Sequence, residues 1–119
     1  MVNGETFYSR VYDFKDSMYV YLRGKLNILE NIEHLERAYL KYENNGRSNV
    51  KIDLLGVEPR DDSKRKSLDT AVISILLKFK KEAEKRKGKL EVYLTDDQAK
   101  IFDTMGYKRI FRGNLVRQT

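Results

Sequence analysis

The chain has 119 residues, which fits one domain, residues 1–119, with a single modest core. Hydrophobic residues make up 40% and charged residues 35%, a folded composition with a heavily charged surface that excludes the disordered class. There is no cysteine, so a disulfide framework, a thiolate nucleophile and a cysteine metal site are all excluded, while the net charge of +6 leaves open an acidic partner.

Residues 1–14 contain no apolar stretch of signal-peptide length, and no run approaches the ~20 residues that span a bilayer. A cytoplasmic protein with no membrane insertion is the reading. Two segments rich in aromatic and β-branched residues, 6–12 and 17–22, flank Lys15-Asp16 and predict a β-hairpin, with Gly24 ending its second strand. The period then changes. Ile28, Ile32, Leu35, Tyr39 and Tyr42 recur at steps of three and four, one face of an amphipathic helix over 28–44 that Asn45-Gly46 closes.

Residues 50–55 read as a short buried strand ending at Gly56. A charged loop of about 58–67 follows, with nothing apolar in it and therefore expected to be mobile. A strong helix covers 69 to about 86, Gly88 stops it, and 90–94 is another strand. Thr95 or Asp96 caps a shorter helix to Met105, Gly106 takes its C′ position, and 107–111 returns as a last strand. The order ββαβαβαβ implies βαβ crossovers. The fold class is α/β, with a mixed, mostly parallel sheet of four or five strands flanked by helices.

Enzyme signatures are missing: there is no glycine-rich phosphate loop, GxSxG elbow or HExxH. His34, the single histidine, falls on the polar side of the first helix and reads as a solvated surface residue. The acid pairs Asp61-Asp62 and Asp96-Asp97 sit in a polar loop and at a helix start, where neither needs a catalytic role. No cofactor and no metal are expected. The positive charge fits a lysine-rich solvated surface better than a nucleic-acid partner, because Glu82 and Glu84 interrupt the basic run of 78–89. The aromatics of 18–22 fit cross-strand packing better than base stacking.

The third strand, the loop and the second long helix are the informative region. At about 100° per residue, Val72, Ile75, Leu76, Phe79 and Ala83 form a core stripe. Ile73 and Leu77 fall outside it and turn toward the side of Thr70 and Ser74. Two readings fit these residues equally. In one, an exposed hydroxyl bordered by surplus apolar residues forms a phosphorylation-gated binding surface. In the other, Thr70 is an ordinary first-turn residue beside an Asp69 cap, and Ile73 and Leu77 pack beneath the long loop.

At these residues the chain resembles the STAS family, named for sulphate transporters and anti-sigma factor antagonists. Residues 19–26 resemble its early strand ending in a glycine, 52–57 its aspartate-bearing strand, and 68–76 its Asp-Ser/Thr segment, where the phosphorylatable hydroxyl follows an aspartate at a helix start. The ending, from Ile101-Phe102 through Gly106-Tyr107 to Ile110-Phe111, matches in rhythm. Two departures stand out: Val72 and Ser74 occupy positions where glycine is common, and 57–68 intervene where the family crosses in a few residues.

The resemblance implies a non-catalytic protein-binding switch of the anti-sigma-factor-antagonist kind. Its partner would be an anti-sigma factor or a serine/threonine kinase, and Thr70 would be the phosphoacceptor. Asp69, Thr70, Ile73, Ser74 and Leu77 would form the contact surface, and a homodimer is compatible with it. The alternatives are a STAS accessory subunit of a lipid-transport ABC ATPase, docked through the same helix, and a basic nucleic-acid-binding domain.

Overall fold

The computed structural model describes residues 8–25, 28–58 and 70–118. Eight elements follow in order: β1 (Tyr8–Phe14), β2 (Ser17–Lys25), α1 (Ile28–Asn45), β3 (Asn49–Glu58), α2 (Thr70–Lys85), β4 (Leu90–Thr95), α3 (Asp96–Thr104) and β5 (Leu115–Gln118). The five strands lie in one sheet in sequence order. β1 and β2 are antiparallel, joined at Lys15 with φ of 57°, and every later neighbour pairs in parallel. The mixed α/β order read from the sequence is the order observed.

Register explains where the core sits. Met18, Val50 and Leu90 lie abreast, as do Val20, Ile52 and Val92, and all six are fully or almost fully buried. Because side chains alternate, these residues share one face of the sheet. α1 and α2 pack together and α2 packs on β3 and β4, while α3 sits against β4 and β5. The opposite face carries Tyr12, Tyr19, Tyr21, Lys51, Asp53 and Tyr93. Between the helices, the Phe79 ring meets Tyr39 edge-on at 5.2 Å and Tyr42 at 5.8 Å. Burying such a ring stabilises the fold by about 1.5–3 kcal/mol.

Arg86 clamps the far ends of both helices. Its guanidinium donates to the carbonyls of Arg47 (2.6 Å) and Glu43 (3.0 Å), pairs with Glu82 (3.0 Å) and lies 4.3 Å from the Tyr42 ring centre. Gly88 permits the same junction: a Cβ there would lie 1.7 Å from the Ser48 carbonyl oxygen.

Three expectations are corrected. The last strand is not 107–111 but Leu115–Gln118. Residues 108–114 form turns, because Phe111 is buried edge-on against Phe102 at 5.3 Å and cannot alternate as a strand would. Turn bonds from Phe111 N–H to the Tyr107 carbonyl and from Asn114 N–H to the Phe111 carbonyl hold that path. The buried Asn114 side chain then donates to the Leu90 carbonyl at 2.9 Å, setting β5 beside β4. His34 is half-buried rather than solvated, since its Nδ1 hydrogen-bonds the Ser9 hydroxyl of β1 at 2.6 Å. Ile73, only 1% exposed, belongs to the core. The expected mobile loop lies outside the described residues apart from Glu58, which ends β3.

Candidate functional surface at the start of α2

The direction of α2 follows from its anchored end. Arg86 and Gly88 meet residues 43–48, which lead into β3, so α2 runs back along the sheet antiparallel to its parallel strands. Sixteen residues span about 24 Å. Thr70, the first residue of α2, therefore lies at the C-terminal edge of β2, β3 and β4, the edge where open α/β sheets place their binding sites.

That edge is held by a group the sequence reading passed over. Gln98, only 2% exposed, donates its side-chain amide to the carbonyls of Leu54 (2.8 Å) and Val57 (3.3 Å) at the end of β3. Its carbonyl oxygen accepts the Thr95 N–H at 3.0 Å, and the Thr95 hydroxyl accepts the Gln98 N–H at 3.2 Å. This is a reciprocal capping box, legible in the sequence as Thr95 followed three residues later by Gln98. It satisfies two orphan donors of α3 and ties that helix to the strand preceding α2. Close by, β2 shifts register between Tyr21 and Arg23, and Gly56 packs so near that a Cβ would lie 3.1 Å from Arg23 Nε.

Along α2 the site residues separate. Ser74, one turn after Thr70, is exposed, as is Ala71, and Leu77 is half-buried against the core. Ile73 is 1% exposed, so it lies within the protein rather than on its contact surface. The reason is that α2 packs against both the sheet and α1, which widens its buried arc beyond a single stripe. Asp69 lies outside the described residues. The first turn of α2 carries no acid, so nothing within that turn opposes a second negative charge beside the helix N-terminus.

Asp53, on the aspartate-bearing strand, faces away from α2. It is 7% exposed and accepts from the Tyr19 hydroxyl at 3.2 Å and the Leu55 N–H at 2.9 Å. Burial, then the charge of Asp53 and this hydrogen bond, push the Tyr19 phenol up to about 12. Among the described residues no three His, Cys, Asp or Glu side chains gather as a metal site would require, and no helix is long and apolar enough to cross a membrane.

No family model and no curated relative matches the sequence. Solved structures do match in fold. An anti-sigma factor antagonist from Mycobacterium paratuberculosis superposes with a TM-score of 0.66 at 16% identity, covering 97% of this chain and 89% of that one. The anti-sigma factor antagonist SpoIIAA in its unphosphorylated form gives 0.63 at 12% identity, over 94% and 89%. The Bacillus cell fate determinant SpoIIAA in its phosphorylated form gives 0.60 at 12% identity, over 96% and 92%. The chain has the fold of the anti-sigma factor antagonists, a STAS-like domain.

Proposed function

We propose that this protein is a non-catalytic, cytoplasmic binding switch of the anti-sigma-factor-antagonist kind. It binds an anti-sigma factor or a serine/threonine kinase through the start of α2, and phosphorylation of Thr70 controls that contact. The observation that carries the reading is the position of Thr70. It is the first residue of α2, at the C-terminal edge of the sheet, followed one turn later by exposed Ser74, in a fold shared with a protein known in phosphorylated and unphosphorylated forms. A phosphate there sits at the positive end of a helix dipole whose first turn holds no acid. Asp69, Thr70, Ser74 and Leu77 supply the contact, and Ile73 supports it from within.

The test is a titration of the partner recovered from the source cell against Thr70→Glu and Thr70→Ala. Thr70→Glu weakens binding by roughly 1–3 kcal/mol, the effect of a charge set against an interface formed without one. Thr70→Ala leaves it within a few tenths. Unchanged affinity for Thr70→Glu overturns the switch. A partner that proves to be a lipid-transport ATPase subunit, bound equally by both variants, makes the chain an accessory subunit instead.

A further inference from the structure

A concave site lies between α3 and the turn-rich path into β5, and it draws no residue from α2. It is a groove of about 710 Å³, within the usual range for small-molecule sites. Its charge is one-sided: Lys100, Lys108, Arg109, Arg112 and Arg117 line it against one carboxylate, Asp103. That excess accounts for most of the chain's net +6. Arg117 is engaged by Asp96 at 3.1 Å. Among the described residues, no acid pairs with Lys100, Lys108, Arg109 or Arg112. All five basic side chains are exposed, and so many like charges around one hollow give it a positive potential that attracts anions.

The chemistry of the lining narrows the ligand. One carboxylate on a guest would leave most of the positive charge unanswered, and an extended acidic peptide spreads its charges over more length than a groove of this size offers. Several negative charges in a small volume are what condensed phosphate groups supply, and arginine forks bind phosphate oxygens two at a time. The lining ring, Phe111, is fully buried against Phe102 and offers no face for a nucleobase to stack on. The C-terminal carbonyls of α3 do not oppose an anion freely, since those of Ile101, Phe102 and Asp103 already accept the N–H groups of Met105, Tyr107 and Gly106. Gly106 and Gly113, both at φ of 81°, set the turns that carry Lys108, Arg109 and Arg112 around the groove.

We infer that the α3–β5 groove binds a soluble, phosphate-dense small anion, of which inorganic tripolyphosphate is the simplest probe. The experiment is calorimetric titration of the full chain with tripolyphosphate at physiological salt. The expected result is one-to-one binding that the double variant Arg109→Ala/Arg112→Ala weakens at least tenfold. Arg37→Ala/Lys41→Ala, which removes the same charge from the exposed side of α1, leaves it within twofold. Should the first double variant fail to fold, amide resonance shifts of the unaltered chain replace it, and these are expected to concentrate in residues 99–117. Absence of binding, equal weakening by the α1 variant, or shifts scattered over the surface overturns the inference. So does tighter capture, through the same arginines, of a single-stranded oligonucleotide or of phosphoinositide-bearing phosphatidylcholine vesicles.

Discussion

The Tyr19 hydroxyl donates to the Asp53 carboxylate at 3.2 Å across the β2–β3 pair, and the same carboxylate accepts the Leu55 N–H at 2.9 Å. Burial and the neighbouring charge hold the Tyr19 phenol neutral up to about 12, above its ordinary 10.0. Since the folded value is the higher one, this group's contribution to stability is complete below pH 10 and is lost as pH rises from 10 toward 12. Tyr19→Phe is expected to cost about 1 kcal/mol at neutral pH. It also flattens the alkaline fall in stability, and denaturant melts from pH 8 to about 12 compare the slopes. Parallel slopes for the two proteins would remove Tyr19 as the cause.

Gln98 bridges the end of β3 to the cap of α3, so its loss strips partners from buried carbonyls of Leu54 and Val57. Gln98→Leu is expected to destabilise by about 1–3 kcal/mol, the cost of unmade buried bonds. Thr95→Ala, which removes only the cap hydroxyl, costs about 1 kcal/mol. Urea denaturation of both variants orders them.

Arg86 is not replaceable by lysine. Arg86→Lys can keep one ion pair with Glu82 but cannot satisfy the Arg47 and Glu43 carbonyls together, and it gives up the guanidinium contact with the Tyr42 ring. A loss of about 2–3 kcal/mol is expected. Lys85→Ala, whose exposed ammonium also pairs with Glu82, changes stability by less than about 1 kcal/mol. Equal melting temperatures for Arg86→Lys and the unaltered chain would show that the clamp contributes nothing.

Ile73 and Ser74 are adjacent and respond in opposite ways. Ile73→Asp places a carboxylate where the side chain is 1% exposed, and it is expected to unfold the domain or cost more than about 4 kcal/mol. Ser74→Asp, on the exposed side, is expected to stay within about 0.5 kcal/mol. Circular dichroism melts distinguish the two, and a cooperative, near-native melt for Ile73→Asp would return that residue to the surface.

What the sequence by itself determined is the part governed by local rules. Apolar residues at steps of three and four mark α1 and α2, and Gly106 stands where α3 must end. The βαβ alternation leaves a mostly parallel sheet as its consequence. Thr70 near a helix start was legible for the same reason, because the polar residues Ser67 and Asp69 directly precede an apolar stripe that begins at Val72, which is a short-range signal. The core stripe of α2, Val72, Ile75, Leu76, Phe79 and Ala83, is buried as its spacing implied, and only the tertiary structure decided how far burial extends beyond it. Ile73 is inside because α2 has two packing partners, and a wheel drawn for one partner cannot register the second. Residues 107–111 look like a strand by composition, yet Phe111 is buried edge-on against Phe102, and β5 begins beyond it. The basic groove was hidden for a related reason. Lys100 belongs to a helix and Arg109 and Arg112 to a turn, and only the fold of that turn against α3 brings their charges around one hollow.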